Sequence, residues 1–232
     1  LGPVGAAIAF LLGKLKALSV LVTVLKLKTL LTMALTIGVY ATQWGWAFAV
    51  GFVLLIFVHE MGHVFVLKAE GIPASAPVFI PFLGAFVAMR AHPKDAWSEF
   101  KVAVAGPVLG SIGAGLTLAA GLALHHPLLV QLGRVGLAIN LFNLVPVSPL
   151  DGGRILAPLP RAFWVAGFAL GVAAWLALRS PLLLIALVIG LIGLYQRWHR
   201  PIAPAATWQR VVAGASWLAL VAALGAVLAF VH

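Results

Sequence analysis

GFVLLIFVHEMGHVFVL, running from Gly51 to Leu67, is an apolar stretch of membrane-spanning character with His59, Glu60 and His63 in its second half. A helix turns about 100° per residue, so positions i and i+4 return to nearly the same face. His59 and His63 therefore project side by side, and Glu60 falls on the flank of that face. Two imidazoles at this spacing can share a metal ion, with a carboxylate beside the ion's open position. Ionisable groups inside an apolar span cost about 2.5–3.5 kcal/mol each on insertion scales, so three together call for a compensating partner. A bound cation supplies one; two ordinary polar residues at a helix end would not.

The rest of the composition agrees with a membrane setting. Of 232 residues, 63% are hydrophobic and 9% charged, and the mean hydropathy is +1.14. That leaves too few polar side chains to cover a water-soluble surface. With no cysteine, disulfides, thiolate metal sites and a cysteine nucleophile are excluded, so a metal must be held by histidine and carboxylate. The net charge of +10 is scattered among the apolar spans, which fits lipid headgroups and topology control; no nucleic-acid partner is expected. The chain opens at Leu1 without a methionine, as a fragment or processed form would, and no A-x-A-like cleavage site precedes the first basic cluster.

Taken in order, residues 4–26 mix apolar runs with Lys14, Lys16 and Lys26. They read either as an interfacial amphipathic helix leading into a span near 29–43, or as a longer span with snorkelling lysines. Further spans are expected at about 46–68, 97–124, 128–147, 161–178, 181–197 and 207–231. Between the second and third, IPASAPVFIPFLGAFVAMR (72–90) holds three prolines in an apolar, β-branched and aromatic context. An uninterrupted helix is excluded there, and extended chain is expected. Apolar backbone of that kind at membrane depth must be covered by protein or line a wet cavity. The expected fold is thus an all-α polytopic membrane protein of about six to seven transmembrane helices, with a re-entrant, extended or β-like loop near the active site. The whole of 1–232 reads as one domain, with a core at about 46–156 flanked by spans in 1–45 and 157–232. Trp44 and Trp46 read as interfacial belt residues. Gly106, Gly110, Gly113 and Ala114 permit close helix approach.

Charge sets the orientation. With seven spans and an inner amino terminus, Lys68, Arg90, Lys94, Lys101, Arg154, Arg161, Arg197, Arg200 and Arg210 share one side, only Arg179 lies opposite and Arg134 falls inside a span, as the positive-inside rule asks. The HExxH then lies near the inner end of its span, and the fourth span delivers Asp151 to the same depth. Among the five acidic residues, Glu70, Asp95 and Glu99 sit in polar surroundings, whereas Asp151 stands in an apolar setting. Asp151 is the candidate third ligand, although P-L-D-G-G is also good turn chemistry. Arg154 could steady Asp151 or face lipid phosphate.

The pair HEMGH at 59–63 and NLVPVSPLDGG at 143–153 resembles the signatures of the site-2 proteases, intramembrane zinc metallopeptidases with an HExxH on one span and N-x-x-P-x-x-x-L-D-G on another. Asn143, Pro146, Leu150, Asp151 and Gly152 fall in register. AGP at 105–107 resembles the motif of the intervening span, but Gly110 stands where the family often carries an asparagine. The resemblance covers about residues 46–156. It implies one zinc ion on His59, His63 and Asp151, with Glu60 as general base. It also implies that Asn143, two helical turns before Asp151, meets the substrate backbone or the developing oxyanion; the other reading of Asn143 is an interhelical hydrogen bond. The expected substrate is a transmembrane protein, cut in or near its span toward the cytoplasmic face. The expected location is the cell (inner or plasma) membrane, multi-pass and in contact with the bilayer. A metal transporter or metal-holding scaffold is the rival from another class, and an inactive homologue that binds membrane proteins is a third reading. Glu60 speaks against both, since neither needs a base beside two ligands.

Overall fold

The computed structural model describes residues 27–89, 91, 93–199 and 205–231. The two readings of residues 4–26, and Arg90 and Arg200 in the charge pattern, lie outside them. Helix α1 (27–44) ends at Gly45, whose φ of 81° lets the chain reverse without a Cβ penalty. Then follow α2 (Trp46–Ala69), strands β1 (Val78–Ile80) and β2 (Gly84–Phe86), α3 (Ala96–Ala123), α4 (Pro127–Asn143), the short α5 (Asp151–Ile155), α6 (Arg161–Leu178), α7 (Pro181–His199) and α8 (Thr207–Phe230).

Three of these, α2, α3 and α8, are long and apolar enough to cross a membrane, while 161–177 and 183–196 form shorter apolar helices. Large apolar side chains such as Leu54, Ile112, Leu116, Leu122 and Leu218 stay exposed, more than a water-facing surface carries. The chain is an integral membrane protein. The fourth span is shorter than expected. Pro146 cannot continue a helix and disfavours helical geometry at Val145, so α4 stops at Asn143.

Helix α3 lies between α2 and α4, and α8 packs on α4, α3 and α5. One core gathers Phe100, Ala103, Leu118, Leu137, Leu144 and Ile155 with Leu224 of α8. A second joins Tyr40 of α1 and Phe52, Val53 and Ile56 of α2 to Phe79 of β1 and Leu132 of α4. The α6–α7 pair grips the segment after α4, burying Val147 against Leu183 and Leu187.

The extended stretch expected at 72–90 is a two-stranded antiparallel hairpin, with Val78 opposite Phe86, Phe79 opposite Ala85 and Ile80 opposite Gly84. Pro81 and Phe82 form its turn, closed by Leu83 N–H to Ile80 O at 3.2 Å. Phe82 has φ 66°, a value that favours glycine. Its N–H donates to the Tyr40 hydroxyl at 2.9 Å, and its ring meets the Tyr40 ring edge-on. Helix α1 also supplies Thr29 Oγ1 to Pro77 O at 2.8 Å and accepts Phe79 N–H on Thr32 Oγ1 at 3.3 Å. The prolines explain why this stretch is not helix; the hydroxyls of α1 explain where it docks.

Candidate metal centre

Helical spacing brings the His59 and His63 rings edge to face, with centroids 4.9 Å apart. Asp151 arrives from 92 residues downstream as the first residue of α5. Its Oδ2 lies 3.0 Å from His59 Nε2 and 3.2 Å from His63 Nε2, and the two Nε2 atoms are 3.2 Å apart. All three residues are buried. A carboxylate oxygen of Glu60, also buried, lies within 4.8 Å of both imidazoles.

The outward-facing ring nitrogens decide what this triangle can hold. His63 Nδ1–H donates to Val102 O at 2.8 Å. His59 Nδ1 is 2.8 Å from Asn140 Oδ1, and the Asn140 amide donates through Nδ2 to Gly136 O at 2.8 Å. The amide is thereby oriented with its oxygen toward His59, so His59 Nδ1 carries the hydrogen. With that hydrogen on Nδ1, each imidazole directs Nε2 toward the carboxylate oxygen, and a neutral ring presents its lone pair there. Three such lone pairs converging at this distance suit a shared cation. Zinc–ligand bonds of about 2.0–2.1 Å in tetrahedral array set ligand atoms about 3.3 Å apart, close to the 3.0–3.2 Å found. The donor set, two imidazoles and a carboxylate, fits one metal ion. His59, Glu60 and His63 are also close enough together to hold one metal ion.

The surroundings are built for this cluster. A Cβ at Gly106 would overlap His63 Nε2, and one at Gly62 would overlap Ala105 O, so α2 and α3 meet through glycine at the site. A Cβ at Gly152 would collide with Leu144 O, which accounts for glycine after Asp151 in a tight return from α4. Two indoles pin the ends of that return: Trp217 Nε1 donates to Leu144 O at 2.7 Å and Trp164 Nε1 to Leu156 O at 3.1 Å. Arg154 reaches Asp151 Oδ1 at 3.6 Å and Glu99 Oε1 at 3.8 Å. One of its two expected roles, steadying Asp151, thus has a contact. Its Nη2 lies 3.8 Å from Met89 Sδ, so the base of the hairpin approaches the Asp151 side of the site.

Asn143, the other polar candidate, is half-buried as the last residue of α4. The hydrogen bond from α4 into the cluster comes instead from Asn140, a residue to which the sequence motifs give no part. A signal was present: Gly133, Gly136, Leu137 and Asn140 share one buried helix face, with the single polar residue nearest the metal-site end. Gly106 and Gly110 do more than permit helix packing: the structure sets Gly106 against the His63 and His59 imidazoles and Gly110 against the Asn140 amide and His59 Cβ.

Fold and site together define a class: a helical membrane protein whose buried His59, Glu60 and His63, with Asp151 against the imidazoles, could hold one metal ion. Residues 47–126 match the model of peptidase family M50. The chain is 36% identical over 107 residues to a Synechocystis protein provisionally named a zinc metalloprotease, a match covering 44% of this chain and 28% of that one. It is 34% identical over 116 residues to a zinc metalloprotease of Methanocaldococcus jannaschii, covering 47% and 33%. The matches thus span about a third or less of these relatives' length. The solved site-2 protease of M. jannaschii is similar with a TM-score of 0.47 and 19% identity, over 78% of this chain and 92% of that one. The family match and the two relatives support the site-2 protease family, to which HEMGH and NLVPVSPLDGG pointed.

Proposed function

We propose that this protein is an intramembrane zinc metalloprotease that hydrolyses peptide bonds in or near transmembrane segments of membrane proteins, with its active site toward the cytoplasmic side. The observation that carries the reading is the meeting of three buried metal-ligating atoms, His59 Nε2, His63 Nε2 and Asp151 Oδ2, within 3.0–3.2 Å of one another. Bound there, zinc would polarise the scissile carbonyl and acidify the attacking water. Glu60 accepts that water's proton on its carboxylate and returns it to the leaving amine nitrogen. Arg154 holds the far oxygen of Asp151, so that Oδ2 stays directed at the imidazoles. Asn143 donates from its amide to the substrate backbone or to the oxyanion as charge develops.

A transmembrane helix must unwind before it can be cut, and its freed backbone groups need new partners. The hairpin offers them by strand addition. Phe79 and Ala85 form an opposed pair whose backbone groups point away from each other. Phe79 N–H is taken by Thr32, which leaves the Ala85 edge of β2 for an incoming strand. Seven spans, a hairpin entering the membrane and a single 1–232 domain with its core at 46–156 complete the reading. Its support is the charge pattern: Lys28, Lys68, Lys101, Arg154, Arg161 and Arg210 at one set of helix ends and Arg179 at the other.

The test is cleavage of a panel of single-span membrane proteins by wild type and Glu60→Gln, with zinc content measured on both. Turnover should fall about 10²- to 10⁴-fold with zinc retained. Equal turnover, or a metal flux that survives the substitution, refutes the proposal and favours a transporter or scaffold.

A further inference from the structure

The two candidate ligand histidines are oriented by unlike means. His63 leans on a backbone carbonyl, Val102 O, which no substitution can remove. His59 leans on a side chain, Asn140 Oδ1, itself oriented by Gly136 O one turn earlier on α4. Asn140 is only 4% exposed, and its amide occupies space that Gly110 of α3 leaves open, since a Cβ there would fall on Asn140 Oδ1 and 3.0 Å from His59 Cβ. A side-chain amide from α4 thus crosses the face of α3 to reach a histidine on α2, through a gap made by one glycine.

We infer that Asn140 is the positioning residue of the metal centre: it fixes the His59 tautomer and ring direction, so that Nε2 presents its lone pair to the ion, and Gly110 is the opening that admits it. The inference rests on the metal-centre reading above. The physical reason is that a neutral imidazole carries one hydrogen, and an acceptor at Nδ1 keeps that hydrogen away from the metal-facing nitrogen. Without it, His59 divides between tautomers and rotamers, and only one combination ligates. Outer partners of this kind change metal affinity by about 10- to 100-fold.

The experiment measures Zn²⁺ affinity by chelator competition, and the visible absorption of the Co²⁺-loaded protein, for the full chain as wild type, Asn140→Leu and Asn140→Asp. Leucine keeps the branching and heavy-atom count, at a somewhat larger volume, and removes the acceptor; aspartate keeps the acceptor. Expected are a loss of about 10- to 100-fold in Zn²⁺ affinity for Asn140→Leu with altered Co²⁺ bands, and affinity within about threefold of wild type for Asn140→Asp. A folded Asn140→Leu protein with wild-type affinity and spectrum overturns the inference while leaving the metal site standing. Should Asn140→Leu not fold, Asn140→Asp decides: retained affinity and spectrum support the acceptor role, and a tenfold or greater loss overturns it. A wild type that takes up neither ion overturns the metal reading and this inference with it.

Discussion

Replacing Gly106 by alanine adds one methyl group at the point where α3 faces both imidazoles. The new Cβ would overlap His63 Nε2 and Cε1 and stand 2.8 Å from His59 Nε2, at least about 0.6 Å inside ordinary van der Waals contact. Neither ring has a cheap retreat, because each is anchored at Nδ1, by Val102 O and by Asn140. Metal–ligand distances tolerate about 0.2 Å, so a displacement several times larger removes at least one nitrogen from bonding range. Zinc affinity should fall by about 100-fold or more, while the helices, which bury no new polar group, keep their assembly. Gly115, on the same helix with nothing within 4 Å of its Cβ position, is the control. Gly115→Ala should leave zinc affinity unchanged and raise helix stability by about 0.5–1 kcal/mol at most. The assay is chelator competition for Zn²⁺, with thermal unfolding followed on the same samples. A Gly106→Ala protein that binds zinc within about threefold of wild type would show that the imidazoles do not hold their ion against α3.

Two further substitutions test the surroundings. Glu70, just beyond the end of α2, pairs with Lys101 and accepts from Ser98 Oγ at 2.9 Å; the Lys101 ammonium and then the Ser98 hydroxyl hold its carboxyl below the usual range. A depressed folded value means the contribution is present above the unfolded value of about 4.3 and is lost as pH falls through the folded one. Glu70→Gln should therefore lower stability by up to about 1 kcal/mol at pH 7, with the gap to wild type closing in melts below about pH 4; an equal gap at pH 3 and pH 7 would count against the pairing. Ala85→Pro removes an outward N–H on the edge of β2 without touching a ladder bond, so it should depress cleavage of membrane substrates with zinc content unchanged. Unaltered cleavage would exclude strand addition at that edge.

Much of the architecture was readable from apolar runs alone. Spans expected at 46–68, 97–124, 161–178, 181–197 and 207–231 differ by at most a few residues from α2, α3, α6, α7 and α8, because long apolar stretches in lipid must satisfy their backbone internally. The histidine pair was readable too, since i, i+4 spacing fixes two side chains on one face whatever surrounds them. Beyond these local relations, periodicity had less to say. That Pro73, Pro77 and Pro81 break the helix was legible; the register of the hairpin and its docking on Thr29, Thr32 and Tyr40 depended on where α1 lies.

The sequence by itself determined which residues could hold a metal and which stretches form apolar helices, because both follow from spacing and polarity along one element. Only the tertiary structure decided that Asp151 closes the triangle, that Asn140 rather than its neighbour Asn143 supports His59, and that Gly106 and Gly110 make room for the rings. Each of those depends on the rotation and depth of one helix against another. That relation is set by side-chain packing between distant segments, and no pattern within a single segment encodes it.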